Sequence, residues 1–371
     1  MKKTLTFVCA IATPLLFSQS AFAAFDYFKT DGSFKRFSVS AGWLHASPQG
    51  TANPLENTTA IKDGTVAKNG SVKIKTVREV IDPDQSELTK VKVNTGLTAI
   101  GVVSFRGEET DLSRTTLGDV SGQVKLGGLE NFSSPGTGLE SADVDTFGSL
   151  FNYYLNDNWS IEVKAGFPPK VDIMGKGKVY APISGEVTAG GIGEYALPKF
   201  KIKKEQLITD LEQGDGVASR ARAWLPAAGV QYQFGKSGVN KFRPYVGAGV
   251  MYAYFNGIEL NEGIRKDLEA AGHQIQNIKD GKSGAALENV PSNREMNVDV
   301  EAESAFAPIV TVGATYDFND RWFGVGSLSY AKLDSDTTIT VKNDKNEELI
   351  RSKAHLDIDP YITFLGVGYR F

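Results

Sequence analysis

The chain has 371 residues, with 40 Lys+Arg against 44 Asp+Glu, a formal net charge of −4 and one cysteine. That charge balance lacks the basic patch that nucleic-acid binding requires, so nucleic acid is excluded as an expected partner. Beyond the N-terminus there is no run of eighteen apolar residues, which excludes membrane-spanning helices.

In chain order, the first element is a targeting segment. Lys2 and Lys3 form a positive start, Leu5 to Phe17 are mostly apolar, and Ala21-Phe22-Ala23 has the small-x-small pattern of a cleavage site. Residues 1–23 therefore read as a signal peptide, with the mature chain starting at Ala24 and a net charge of −6 once the two lysines are lost. The one cysteine, Cys9, lies inside that segment, so the mature chain has no thiol for disulfides, metal binding or nucleophilic catalysis.

The rest of the chain, 24–371, reads as one outer-membrane barrel domain. Period-two alternation, which sends successive side chains to opposite faces, recurs in eight runs: about 34–48, 143–155, 159–173, 220–234, 242–256, 305–318, 322–340 and 353–371. In the last run Tyr361, Thr363, Leu365, Val367, Tyr369 and Phe371 share one face, apolar with aromatics near both ends. Phe147, Phe151, Tyr153 and Leu155 do the same in the second, as do Trp159, Ile161, Val163 and Phe167 in the third and Phe306, Val310, Val312, Tyr316 and Phe318 in the sixth. The pattern is that of a lipid-facing surface with aromatic girdles, and an even strand number fits closure. The expected fold is all-β: an eight-stranded antiparallel up-and-down transmembrane β-barrel with long extracellular loops.

Asn156-Asp157-Asn158, Asn319-Asp320-Arg321 and residues 235–241 are short and turn-rich, so they belong on the periplasmic side. The loops at about 49–142, 174–219, 257–304 and 341–352 then lie outside. In the first, 71–79 and 88–105 alternate (Val72, Ile74; Val91, Val93) and read as a hairpin above the membrane, with Pro83-Asp84 as a turn. Residues 203–213 (Leu207, Leu211) and 261–274 (Ile264, Leu268, Ala271) carry helical spacing and read as short amphipathic helices, either packed as loop elements or lying on the membrane surface.

Particular segments resemble a known family. Phe242-Arg243-Pro244-Tyr245-Val246-Gly247-Ala248-Gly249 looks like the fifth-strand segment of the OmpW family of small outer-membrane proteins. Leu356-Asp357-Ile358-Asp359-Pro360-Tyr361 through Gly368-Tyr369-Arg370-Phe371 is similar to its last strand, and Leu225-Pro226 through Tyr232-Gln233-Phe234-Gly235 also fits. The terminal Phe371 after Tyr369-Arg370 resembles the signature that such proteins present to the barrel-assembly machinery. The first two outer loops are much longer than the family's usual ones. The resemblance implies the outer membrane of a Gram-negative bacterium. It also implies passive uptake of small hydrophobic molecules through a narrow apolar interior, with lateral release into the membrane.

The inward faces carry the candidate site. Leu44, Tyr245, Met251, Phe255, Ile358, Ile362 and Phe364 are expected to line an apolar conduit. Arg36, Glu162, Lys164, Arg243, Asp317 and Arg370 share inward parity near the periplasmic strand ends. Unpaired charges in a narrow barrel are costly, so they are expected to pair into a plug. Gly42, Gly247, Gly249, Gly366 and Gly368 either leave room for a slender ligand or permit close strand approach. Proline cannot donate to a ladder, so Pro168, Pro169 and Pro226 mark either a lateral opening between the third and fourth strands or simple strand ends.

His45 and His355 fall near the outer ends of neighbouring strands, with Asp357 and Asp359 nearby, which makes a metal or pH-sensitive site conceivable beside the plainer reading as solvated rim residues. No serine elbow accompanies them, and neither an enzyme nor a cofactor is expected. Gly191-x-Gly193-x-x-Ala196 lacks the strand–helix context of a dinucleotide site. Lys199, Lys201, Lys203 and Lys204 are either a contact for lipopolysaccharide phosphates or a solvated basic face. The expected partners are outer-membrane lipid, lipopolysaccharide and small hydrophobic ligands. Against the channel stands a second reading, a non-transporting adhesin or receptor acting through its long loops.

Overall fold

The computed structural model describes residues 35–371; the expected signal peptide and its cleavage site lie outside the described residues. Eight strands form the barrel: β1 (Phe37–Ser47), β2 (Val144–Tyr154), β3 (Trp159–Gly166), β4 (Ala227–Gln233), β5 (Phe242–Leu260), β6 (Ala305–Asp317), β7 (Trp322–Ala331) and β8 (Tyr361–Arg370). Each is antiparallel to the next, and β8 returns to β1 over Ser38↔Arg370 to Ser47↔Tyr361, so the sheet closes. Closure removes the unpaired edges that a hydrocarbon environment cannot tolerate.

Alternation places the residues as the sequence reading expects. Phe147, Phe151, Ile161, Val163, Val310, Val312, Leu365 and Val367 are exposed on the outer wall. Two aromatic belts bracket them. The lower contains Phe37–Tyr153, Trp159–Tyr232, Tyr316–Phe318 and Trp322–Tyr369–Phe371; the upper contains Tyr252–Phe306, Phe147–Phe167 and Tyr330–Tyr361. From Tyr361 to Phe371 a strand advances about 33 Å, or about 25 Å of height at a tilt of about 40°, which matches the apolar band of an outer-membrane barrel.

Above the upper belt the chain builds a second body. One five-stranded sheet runs in the order Met296–Ala302, Asp334–Asn343, Glu348–Asp357, Leu55–Thr59, Asn131–Ser134. A four-stranded sheet runs Phe200–Asp210, Lys178–Thr188, Gln123–Gly127, Val66–Lys68. Val217–Trp224, Lys170–Lys176 and Gly138–Ser141 continue the wall from the outer half of β5. A long helix, Glu262–Lys279, closes this body. Asn261 caps it by accepting from the Gly263 N–H, and Ile264, Leu268, Ala271, Ile275 and Ile278 form its buried stripe. A continuous apolar core links that stripe to the top of the barrel at Met251, Ala307 and Ile362.

Several expectations need correction here. The third and fourth alternating runs break at their prolines, and the seventh and eighth leave the barrel at 332–333 and 358–360 to form the hairpin Asp334–Asn343/Glu348–Asp357. The expected hairpin at 71–79 and 88–105 is instead two helices, Ile74–Glu79 and Glu87–Val103. Val93, Leu97 and Ile100 lie buried at helical spacing, and the Ser86 Oγ accepts from the Thr89 N–H to start the longer helix. That three-residue stripe outweighs the Val91/Val93 alternation. The expected helix at 203–213 is the strand Phe200–Asp210, in which Phe200 and Ile202 point inward and Lys201 and Lys203 outward. The Leu207/Leu211 spacing was incidental, since Leu207 is exposed. The expected helix at 261–274 is present, but its apolar face packs inside the outer body and is not free to bind a membrane surface.

Candidate functional site

From the periplasmic end upward, the barrel interior falls into layers. At the bottom Arg370 pairs with Asp317 at 2.7 Å and lies 4.2 Å over the Phe323 ring. Arg243 is buried and donates to the carbonyls of Phe234 at 3.3 Å, Gly235 at 3.4 Å and Asp157, tying two periplasmic turns together. Arg36 reaches the Leu155 carbonyl at 3.4 Å. Above them Leu44, Leu150, Tyr245, Phe323, Val325 and Phe364 pack into a compact apolar layer. An eight-stranded barrel is just wide enough to be filled in this way.

Next comes a polar crossbar. Glu162 and Lys164 on β3 pair at 3.4 Å, and Asn152 faces Glu162 at 3.5 Å. The Lys164 ammonium donates to Thr311 Oγ1 at 2.9 Å and Ser329 Oγ at 2.8 Å. Those hydroxyls belong to β6 and β7, on the opposite side of the ring of strands, so the side chain spans the lumen. The six expected plug charges therefore do not form one mutually paired cluster. Glu162–Lys164 and Asp317–Arg370 are ion pairs at different heights, while Arg243 donates to turn carbonyls and Arg36 to that of Leu155. Thr311, Ser329 and Asn152 were not singled out in the sequence; their inward parity beside Lys164 was the available signal.

Above the crossbar lie Met251, Ala307, Ile309 and Ile362, and above these opens a cavity at the barrel mouth enclosing about 70 Å³. Phe255 and Ile358 line it with Val171, Ala221, Ala223 and Leu225. The expected conduit residues thus divide: Leu44, Tyr245 and Phe364 fill the lower barrel, Met251 and Ile362 sit above the crossbar, and Phe255 and Ile358 line the mouth. The inward run Ser219, Ala221, Ala223 alternating with Arg220 and Arg222 signals part of that lining in the sequence.

The wall beside the cavity is interrupted. Between β3 and β4 the ladder runs from Tyr232↔Trp159 to Ala227↔Lys164, and pairing resumes only at Arg222↔Lys170. Across the interval the Ala223 N–H donates to the Pro169 carbonyl at 3.2 Å. Residues 165–168 and 224–226 make no further ladder bonds to one another among the described residues. Gly166 and Phe167 bond instead to β2, and the Pro226 carbonyl accepts from Tyr252 on β5. Pro168, Pro169 and Pro226 lack the N–H needed to bridge the interval. Trp224 stands at the same seam with a buried indole N–H that has no partner. Phe167, 71% exposed, stands on the lipid side in the upper belt.

The glycines serve close approach. A Cβ on Gly42 would lie 2.1 Å from the Leu365 carbonyl oxygen, one on Gly249 2.2 Å from that of Ala228, and one on Gly368 2.2 Å from the Phe323 ring. The alternative of ligand room is not met at these positions.

The histidines do not converge. His45 bonds Asp145 at 3.0 Å and stacks on Trp43. His355 sits on the outer hairpin among Asp336 at 2.6 Å, Asp357 at 3.5 Å and Asp334 at 3.9 Å. Its hydrogen bond to Asp336 raises its pKa above the ordinary histidine value. His273 bonds Ser292 at 2.8 Å, and partial burial lowers its pKa. Residues 191–196 form a turn and a short helix whose backbone abuts Gly96 of the helix Glu87–Val103, which is a packing role. Of the loop lysines, Lys203 pairs with Asp84 at 2.8 Å.

No protein-family model matches the chain. The sequence is 26% identical over 151 residues to outer membrane protein W of Vibrio cholerae, covering 39% of this chain and 51% of that relative, so the chain spans about half of that protein's length. It is 23% identical over 256 residues, 68% of this chain and 82% of the relative, to the dibenzothiophene metabolism operon protein PahQ of Pseudomonas aeruginosa. Among solved structures, OprG of Pseudomonas aeruginosa aligns with a TM-score of 0.44 at 14% identity, covering 91% of this chain and 97% of that one. A closed eight-stranded barrel with two aromatic belts, together with sequence similarity to outer membrane protein W, makes this chain a Gram-negative outer-membrane β-barrel similar to that protein.

Proposed function

We propose that the protein is an outer-membrane channel for passive uptake of small hydrophobic molecules. They enter the apolar cavity at the barrel mouth and leave sideways, through the seam between β3 and β4, into the outer leaflet. The observation that carries this reading is the position of that cavity: above a filled floor, and against the one interval of the β3–β4 wall where the ladder lapses. Straight passage to the periplasm would require displacing the Phe364–Tyr245 layer and the buried Glu162–Lys164 pair, and stripping buried charges of partners is strongly unfavourable. Sideways movement requires only that side chains at a proline-interrupted seam rearrange. The name of the relative PahQ, which refers to dibenzothiophene metabolism, supports apolar aromatic molecules as the class to try first.

The second reading, a non-transporting surface barrel that binds a partner, is favoured by one feature. The helix Glu87–Val103 turns Leu88, Val91 and Val102 outward, followed by Phe105, 92% exposed. Uptake of radiolabelled dibenzothiophene separates the two, in cells with the protein, without it, and with Ala221→Phe and Ala223→Phe to fill the mouth cavity. The channel reading expects faster uptake with the protein and loss of that gain in the filled variant. Equal uptake in all three would leave the surface-binding reading standing.

A further inference from the structure

A second cavity lies wholly within the outer body, between its two sheets and beneath the helix Glu262–Lys279. Leu126, Phe132, Ile202, Ile264, Leu268 and Ile275 supply much of its apolar wall. The few polar side chains that reach it are almost all engaged. Asn57 donates to Ser134 and accepts from Ser352, Thr59 donates to the Leu129 carbonyl, Thr209 to Asp267, and Gln274 to Asn289. Ser283 is the exception. It lines the cavity, is 3% exposed, and its Oγ has no hydrogen-bond partner. A buried hydroxyl without a partner costs free energy, and in native structures such a group calls for an explanation.

We propose that this cavity is a ligand chamber distinct from the barrel mouth, built for a small, largely apolar molecule that carries one hydrogen-bonding group, with Ser283 as the group that meets it. The walls suit an aromatic or aliphatic skeleton, and the free hydroxyl suits a single alcohol, phenol or carbonyl oxygen. Charged ligands are excluded, because no unpaired ionised side chain lines the cavity to receive them. The enclosed volume is about 60 Å³. An apolar cavity of about 150 Å³ is what holds a benzene ring, so occupancy requires the wall formed by Glu262–Lys279 to move outward.

The chamber also has a place relative to the barrel. The hairpin Asp334–Asn343/Glu348–Asp357 turns Ile339, Ile350 and Ser352 into the chamber, and Ser335, Thr337 and Leu356 into the mouth cavity. Ser352 and Leu356 are about 13 Å apart along one strand face, with buried Ala354 between them. The two cavities are stacked along the same wall, the chamber farther from the membrane.

The chamber requires only binding, so it stands or falls apart from the channel reading. The test uses the mature chain in lipid nanodiscs with methyl-labelled isoleucine, titrated with 1-naphthol and separately with naphthalene. The methyls of Ile202, Ile264 and Ile275 report the chamber, and those of Ile173 and Ile358 report the mouth. Saturable shifts at the chamber methyls are expected with 1-naphthol. Ser283→Ala should weaken 1-naphthol at those methyls about fivefold, the equivalent of one hydrogen bond of about 1 kcal/mol, and leave naphthalene unchanged. Without ligand, Ser283→Ala should leave the thermal midpoint unchanged or raised, since it removes an unsatisfied group. Shifts confined to the mouth methyls would overturn the chamber and leave the channel reading intact. Equal weakening of both ligands would overturn the role of Ser283, and no saturable shift at any of these methyls would overturn the chamber outright.

Discussion

The barrel and the outer body are built from the same alternating strands, yet they are inverted relative to each other. On β8 the outward residues Tyr361, Leu365 and Val367 are apolar and exposed. On the strand just before it, Glu348–Asp357, the outward residues are Arg351, Lys353, His355 and Asp357. The inward side does not change in kind: Ile350, Ala354, Leu356, Ile358, Ile362 and Phe364 are all buried. What switches between Asp359 and Tyr361 is the solvent outside. In lipid the outer face must be apolar and the interior is free to hold charge; in water the outer face is charged and the interior carries the stability. The crossbar and the floor arginines belong to the first regime, and the helix Glu262–Lys279 over its apolar core belongs to the second.

The largest effect that would sharpen this contrast lies in the barrel. Glu162→Gln leaves the Lys164 ammonium without its carboxylate and should cost about 3–5 kcal/mol in urea unfolding followed by the mobility shift of the folded barrel, with no new ion conductance in planar bilayers. Glu162→Leu combined with Lys164→Met should recover most of that loss. A large new conductance in the single variant would show that the pair gates ions and is not structural.

The outer body offers the complementary change. Leu268→Ala truncates the buried helix stripe and should cost about 2–5 kcal/mol, confined to that region. Limited proteolysis should then cut faster around residues 262–290, while the mobility shift of the barrel keeps its midpoint. A parallel fall in the barrel midpoint would break the comparison, since it would make the two bodies one cooperative unit.

The smallest effect is a titration on the outer wall. The folded His355 pKa lies above its unfolded value, so the stabilisation from its aspartates is full below about pH 6.5 and fades as pH rises through the folded pKa. Histidine proton shifts should place His355 above the ordinary value, and Asp336→Asn, which removes the largest cause, should bring it down. His273 runs the other way: burial lowers its pKa, so its neutral form is favoured and stability declines as pH falls below about 6.5 toward the folded pKa.

Much of this was legible in the residues. The lipid face is strictly periodic, because every second side chain meets the same hydrocarbon; hence Phe147 to Val367 and the short turns could be placed by parity alone. The outer body was less legible. Residues 88–105 satisfy an alternating pattern at Val91/Val93 and a helical one at Val93/Leu97/Ile100, and the burial of the helical stripe, with Gly96 packed against the backbone of Ala196, decides between them. Residues 203–210 form a strand because Lys178–Thr188 lies beside them to pair. Inward parity singles out the plug charges, but not which of them pair nor the Thr311 and Ser329 hydroxyls that meet Lys164, since parity gives the side of the wall and says nothing of what lies across the lumen.

By itself, the sequence determined that the chain is an eight-stranded outer-membrane barrel, because the solvent imposes a period-two rule that each strand obeys independently of the others. Only the tertiary structure decided where the interior is filled, where the β3–β4 ladder lapses, and that the long loops enclose cavities of their own. Those properties depend on which side chains meet across a closed wall, and that is set by strand register and by the packing of one distant segment against another.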